Sequence, residues 1–367
     1  MKTAIIHDWL TGMRGGEKIL EKMCRLFPSS DIYTIVWNKG RMSSEIESHR
    51  IITSFIQKLP AGTSKYRYYL PLMPAAIEAF ELRGNELIFS ISHCVAKGIE
   101  KKPGQTHICY CNTPMRYAWD SFGDYFSPRR NFFTWAAMSF FRPYLKWWDK
   151  STARGVDYFI ANSRNVAERI KRHWGRDSAV IYPPVDTQFY TPSPDVSSAE
   201  DFYLAVSALV PYKKIDLAVK AFNMLGKKLK IIGTGPEADY LRKIAGPTIE
   251  FLGWRDAESI RDHYRKCRAL IFPGEEDFGI VPLEAQSCGR PVIAYGKGGA
   301  LETVVNGETG VFFGEQTENA LRGAVNRLEQ MEFDAARISS HASKFSDENF
   351  NAAIKKFLTN HVPGFYE

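Results

Sequence analysis

A chain of 367 residues, 44% apolar and 24% charged, has the make-up of an ordinary folded protein, which excludes wholesale disorder and collagen-like or low-complexity chains. At roughly 100–200 residues per domain it divides into two domains, each long enough for its own core. The net charge of +7 is unevenly placed: residues 1–186 hold 27 Lys and Arg against 17 Asp and Glu, and the remainder 21 against 24, so anionic lipids, phosphorylated substrates and nucleic acid are the partners to consider.

Residues 3–6 read as a buried strand that stops at His7-Asp8, too short an apolar run for a secretory signal. Gly12-Met-Arg-Gly-Gly16 then leads into a helix whose apolar residues (Ile19, Leu20, Met23, Leu26, Phe27) recur at helical spacing. Strands follow at 87–91, 106–111 and 158–161. The longest stretch without a charge, 103–115, is too short and too polar to span a bilayer, which takes about 20 apolar residues. Residues 132–148 carry eight aromatics, with Arg129, Arg130, Arg142 and Lys146 among or beside them, and 65–73 is similar. Such mixing fits either a membrane-interface segment or an internal amphipathic helix. A helix at 165–174 with Ser163 as its cap and a short strand at 180–182 complete the first domain, 1–186.

The Pro-, Ser- and Thr-rich stretch 187–199 reads as a linker. Strands at 202–206, 229–232, 250–252, 269–272 and 291–294 then alternate with helices at 215–224, 238–245, 257–266 and 282–287 through a second domain, 200–345. Such alternation implies an α/β chain of two doubly wound parallel sheets, with ligands at the carboxyl ends of the strands. The six cysteines are scattered without a C-x-x-C pair, which fits reduced thiols in a cytoplasmic protein. No spacing suggests a metal site, and no nucleic-acid recognition motif is present.

Three glycine turns lie at strand ends. Gly12–Gly16 is neither a G-x-G-x-x-G nor a Walker loop, and glycine serves a tight turn as well as an anion. Gly233-Thr-Gly235 is equally open to both readings. The run from Phe272 to Gly279 passes from a strand into a helix expected to begin near Val281 or Pro282, where free N–H groups would face a diphosphate. Glu276 and Glu284, with seven residues between them, flank that start, with Glu284 expected in the first helical turn. Carboxylates accept hydrogen bonds from ribose or sugar hydroxyls; the alternative is a solvated acidic loop and a Glu serving the helix dipole. Lys213, after Leu209-Val-Pro-Tyr212, could neutralise a pyrophosphate. His7, Asp8, His93 and His107 also lie near strand ends.

Taken together, HDWLTGMRGGEK (7–18), SISHCVAKGI (90–99), YCNTPMRYAWD (110–120), FIANSRNVAERI (159–170), LVPYKKIDLAVKAF (209–222) and EDFGIVPLEAQSCGRPVIAYGKGGALETV (276–304) resemble the family-four retaining glycosyltransferases of the GT-B fold. Within that family the likeness is to bacterial O-antigen and exopolysaccharide mannosyltransferases. The resemblance implies that Glu284 holds the ribose of a nucleotide sugar, Glu276 the donor sugar, and Lys213 the diphosphate together with the backbone of Phe278, Gly279, Ile280 and Val281. It puts Gly15, Gly16 and Gly233 near the donor, Gly253 and Trp254 near the base, and Asp8, Arg14, His93 and Arg116 on the acceptor side. It also implies a C-terminal helix, 346–367, returning to the first domain. Two positions depart from the family: Asn112 stands where it commonly has His, and Ala208 where it commonly has Arg. Neither replacement carries a positive charge near pH 7, so a diphosphate leaving group loses support.

The resemblance implies metal-independent, retaining transfer of a hexose, with GDP-mannose the favoured donor and no cofactor, to a lipid-linked or other saccharide acceptor at the inner face of the plasma membrane. Catalysis would fall to Glu276, Lys213 and Asn112. A GT-B sugar-nucleotide epimerase and a weakened donor-binding scaffold are the alternatives.

Overall fold

The structure, a computed structural model, describes residues 1–126, 128, 131–193 and 199–365. Arg129, Arg130 and positions 194–198 of the expected linker lie outside the described residues. Two compact units emerge: Met1–Tyr182 with Asn351–Glu367, and Pro183–Phe350.

The first unit is built on seven parallel strands, β1 (Thr3–His7), β2 (Asp31–Thr34), β3 (Ile51–Thr53), β4 (Leu87–Ser92), β5 (Thr106–Cys111), β6 (Tyr158–Ala161) and β7 (Ala179–Val180). Their order is β3-β2-β1-β4-β5-β6-β7. Ile5 lies between Ile32 and Phe89 in the central register. β1 and β4 are buried along their whole length, as expected of parallel strands covered by helices on both faces. The second unit repeats the winding with β8 (Tyr203–Val206), β9 (Leu229–Ile232), β10 (Ile249–Gly253), β11 (Leu270–Phe272), β12 (Val292–Tyr295) and β13 (Gly310–Phe313), in the order β10-β9-β8-β11-β12-β13. Tyr203, Phe222, Ile231, Ile293 and Phe313 sit in its core.

Several boundaries move from their sequence positions for identifiable reasons. The first helix spans Gly15–Leu26, so its two leading glycines are helical. Glu17 fixes the start by accepting from the Arg14 N–H at 3.0 Å. The helix expected near 281 begins at Ile280 and runs to Ser287, which puts Pro282 third in the helix. Its missing N–H costs nothing there, because the first four have no partner within the helix. The Arg164–Trp174 helix is capped as expected, with Ser163 Oγ accepting from Val166 N–H at 3.0 Å.

The aromatic segment is the helix Phe132–Thr152, with apolar residues on both a buried and an exposed side. Met138, Leu145, Trp148 and Asp149 are buried on one side, while Phe133 (85%), Phe140 (79%) and Trp147 (65%) remain exposed. Lys97, itself buried, pins the helix: Nζ donates to the Asp149 carbonyl at 2.6 Å and the Thr152 hydroxyl at 2.9 Å, and pairs with the Asp149 carboxylate at 3.0 Å. The indoles of Trp119 and Trp174 donate to the same carboxylate, each at 2.7 Å. Among the described residues, no helix is long and apolar enough to cross a membrane. None of the six cysteines, all buried, is in a disulfide.

Candidate functional site

In a sheet wound this way, the strand order reverses on either side of one strand, and the loops leaving the two strands there diverge to form a crevice. In the second unit those strands are β8 and β11. The loop after β8 carries Lys213 on a short 3-10 turn, Pro211–Lys213. The loop after β11 carries Glu276. Their side chains meet across the reversal point, with Lys213 Nζ 2.5 Å from Glu276 Oε2 and both less than a quarter exposed.

Glycines hold this arrangement in place. A Cβ on Gly274 would come within 3.0 Å of the Lys213 backbone, and one on Gly298 within 2.4 Å of the Glu276 carbonyl. Gly299 N–H donates to that same carbonyl at 2.8 Å. Gly279, with φ of +91°, turns the chain into the Ile280–Ser287 helix. Ile280 and Val281 are half-buried and the next eight residues are buried, so only the amino end of this helix is accessible. Its unpaired N–H groups carry partial positive charge.

Glu284 corrects an expectation. It is the fifth residue of the helix, one or two positions further in than the sequence suggested, and only 6% exposed. The hydroxyl of buried Tyr264 donates to its Oε2 at 3.0 Å. Burial first, and then the Glu284 charge, hold the Tyr264 phenol well above its ordinary pKa, so it remains a donor. Gly233, open to either reading in the sequence, is demanded by packing: its Cβ would lie 1.8 Å from the Ser207 carbonyl. Its N–H donates to the Gly253 carbonyl at 2.8 Å. The following Trp254 is 72% exposed, and Ala208 is exposed beside the β8 loop.

The first unit reverses its strand order between β1 and β4, and an acid–base pair spans that point too. Asp8 is fully buried, and its Oδ2 lies 2.9 Å from His93 Nδ1. The carboxylate also accepts from four consecutive backbone N–H groups, of His93, Cys94, Val95 and Ala96, at 2.6–3.0 Å. Burial opposes the charge, but the His93 charge and these bonds outweigh it and bring Asp8 down to about 2. His93 is correspondingly raised: burial works against it, and Asp8 overcomes that. Asp8, expected on the acceptor side, is thus enclosed and occupied, and it shapes the loop that carries His93.

Beside this pair, His7 is wholly buried and its pKa is lowered, chiefly by burial. Its Nδ1 donates to the Trp9 carbonyl at 3.1 Å, which leaves Nε2 as an acceptor. A Cβ on Gly16 would stand 3.4 Å from that nitrogen and 3.3 Å from Asn112 Nδ2. The structure therefore brings His7, Gly16 and Asn112 together. Gly15 and Arg14 are exposed at the head of the same helix, and Arg116 lies half-buried after β5. Sequence reasoning missed Tyr264, Gly274 and the Gly298-Gly299 pair. Only the last had a visible signal, the Gly-Lys-Gly-Gly run after β12.

Two family models match consecutive parts of the chain: one described as glycosyltransferase family 4 over residues 13–189, and one described as glycosyl transferases group 1 over 187–360. Among curated relatives, a GDP-mannose-dependent alpha-(1-6)-phosphatidylinositol monomannoside mannosyltransferase of Mycolicibacterium smegmatis is 29% identical over 195 residues, 45% of this chain and 51% of its own. A D-inositol 3-phosphate glycosyltransferase of Geodermatophilus obscurus is 31% identical over 228 residues, 53% of this chain and 50% of its own. The chain spans about half the length of the curated relatives it matches. Among solved structures, the lipopolysaccharide outer core galactosyltransferase WaaB superposes with a TM-score of 0.68 at 17% identity, covering 98% of this chain and 100% of that one. Anabaena HepE in complex with UDP does so with 0.71 at 19%, covering 98% and 100%. These likenesses, together with the two parallel sheets, establish the GT-B fold.

Proposed function

We propose that this chain, whose fold is GT-B and whose two parts match two glycosyltransferase models, moves a hexose from a nucleoside diphosphate to a saccharide acceptor. The observation that carries the reading is the Lys213–Glu276 pair, set across the strand reversal beside an accessible helix amino end. In the structure the two charges satisfy each other. A diphosphate draws Lys213 Nζ to itself and releases Glu276 to accept from sugar hydroxyls. Glu284, already oriented by Tyr264, accepts from the ribose.

The bond from the anomeric carbon to the diphosphate oxygen breaks as the bond to the acceptor oxygen forms. The acceptor proton passes to the departing phosphate oxygen, on the retained face. Charge building on the diphosphate is met by Lys213 and by the Ile280 and Val281 N–H groups, fixed dipoles that need no reorganisation. Positioned cations of this kind do the work without a metal. In the first unit, neutral His7 and Asn112 face the Gly16 backbone, which receives the acceptor end.

GDP-mannose is the favoured donor, by analogy with the mycobacterial relative; the UDP complex of HepE makes UDP-sugars the competitor. The same relative is named for a phosphatidylinositol mannoside. With the basic first half and the exposed aromatics of the Phe132–Thr152 helix, it favours a lipid-linked acceptor and peripheral attachment to the inner membrane face. Ala208 and Asn112 sustain the alternative of a weakened donor-binding scaffold.

Calorimetric titration of GDP, UDP, GDP-mannose and UDP-glucose without metal tests the reading. One nucleotide pair should bind selectively, and Lys213→Ala should weaken it about tenfold to a hundredfold, the size of one charge-assisted hydrogen bond. Silence across the panel rejects the proposal. Selective binding without transfer to any lipid-linked saccharide, unrestored by Ala208→Arg with Asn112→His, supports the scaffold.

A further inference from the structure

Among the described residues, two other than glycine have a positive φ, Ala61 and Lys214. Lys214 follows Lys213 directly. Its φ of +55° and ψ of +35° are left-handed helical values, which glycine adopts freely and other L-residues only at a cost. The same residue is the N-cap of the helix Ile215–Leu225, and its side chain makes no capping hydrogen bond. Ser, Thr, Asp, Asn or Gly would serve better there. Its charge also has the wrong sign, because a helix amino end carries partial positive charge and favours anions. Lysine at this position therefore runs against backbone, cap and dipole at once.

The surrounding charges do not offset this. Lys213 takes Glu276, and Asp216, in the first turn of the helix, pairs with Lys220 at 3.3 Å. Half-buried Lys214 has no acidic partner among the described residues. It stands nonetheless at the strand reversal. The peptide joining it to Lys213 lies against Gly274, where a Cβ would come within 3.0 Å of Lys213 Cα and 3.1 Å of the Lys213 carbonyl oxygen. Local rules broken together, with no local return, mark a position that answers to a ligand. An anion beside this loop reverses the electrostatic part: it neutralises Lys214 and meets the positive end of the Ile215–Leu225 helix.

We propose that Lys214 is a second phosphate-binding residue of the nucleotide site, held in a strained conformation so that the diphosphate meets two ammonium groups. Lys213 divides its charge between Glu276 and the ligand; Lys214, with no carboxylate to satisfy, gives all of its charge to the ligand. This rests on the glycosyltransferase reading for the identity of the anion.

Lys214→Gly in the full-length protein separates the side chain from the backbone it strains. Glycine takes the same φ and ψ freely, so the variant should melt at or above the wild-type temperature. Its calorimetric affinity for the preferred diphosphate, GDP or UDP, should nevertheless fall about fivefold or more. Lys214→Asn, which tolerates left-handed φ and is a favoured N-cap, should behave in the same way. Lys214→Arg restores the charge and should recover most of the affinity that Lys214→Gly loses. The matching monophosphate, GMP or UMP, should lose less than the diphosphate. Neutral variants that bind like wild type overturn the proposal, as does an arginine variant that recovers nothing or an equal loss for mono- and diphosphate. So do neutral variants that melt below wild type, because lysine would then be the residue that the turn prefers. Wild-type nucleotide binding with unchanged variants overturns this inference alone; a wild type that binds no nucleotide overturns it together with the glycosyltransferase reading.

Discussion

Lys213 and Glu276 show both how much of the site could be read from the sequence and where that reading stops. Their residue types, after strands and beside glycines, made them candidates for a diphosphate and a sugar, and the family resemblance implied those two roles. Nothing in the spacing said that they meet, because the contact depends on β8 and β11 being neighbours in the sheet. The pair makes a specific prediction. Glu276→Gln leaves Lys213 without its resting partner, so nucleotide binding should hold or tighten while transfer falls at least a hundredfold, read as KM against kcat. Gly16→Ala tests the other cluster. The new methyl meets only the tips of Asn112 and His7, at 3.3 and 3.4 Å, and alanine favours a helix. Stability should therefore change by less than about 1 kcal/mol while transfer falls. The Asp8–His93 pair predicts a pH dependence. His93 is raised in the folded protein, so its contribution is full below its ordinary value of 6.5 and is lost as pH rises through the folded value. Asp8 is depressed, so its contribution is present above 3.8 and lost as pH falls toward about 2. The melting temperatures of wild type and His93→Gln should differ most in mildly acidic solution and converge in alkaline solution.

At the scale of elements, legibility followed the length and continuity of apolar runs. β5, β6 and β9 stand where the sequence puts them because each is largely apolar and buried; only Thr106, Tyr158 and Lys230 among their residues are not buried. β2, β3 and β13 are three or four residues long, and β2 follows directly on Pro28-Ser29-Ser30, so no periodicity marks them. β13 also opens on Gly310, whose absent side chain lets the Val292 carbonyl pass; a Cβ would lie 2.0 Å from it. The Phe132–Thr152 helix is fixed by an element the sequence did not single out, the turn Ala96–Gly98. A Cβ on Gly98 would lie 2.3 Å from the Trp148 ring, and Lys97 supplies the buried charge for Asp149. Lys97→Met strands that carboxylate among two indoles. It should cost about 3–5 kcal/mol, whereas removing both charges together should cost much less; chemical denaturation of the single and double variants checks this.

At the scale of the whole molecule, one strand order is used twice, though no repeat is visible in the sequence, because winding follows from alternation and not from residue identity. Charge separates along the same division. The first unit holds 29 Lys and Arg against 17 Asp and Glu, and the second 19 against 24. Between 0.1 and 1 M salt the Debye length falls from about 10 to 3 Å. Sedimentation with phosphatidylglycerol vesicles should therefore collapse over that range, while nucleotide binding at the half-buried Lys213 weakens far less.

The four N–H groups closing on Asp8 have the form of a cradle for a small oxyanion. The first sheet fills that cradle with a carboxylate of its own, a covalently tethered plug. Dissolved phosphate therefore finds nothing to bind there. Asp8→Gly would pull the plug and leave a hole of carboxylate size. Added formate should then raise the melting temperature of the variant and leave that of wild type where it was.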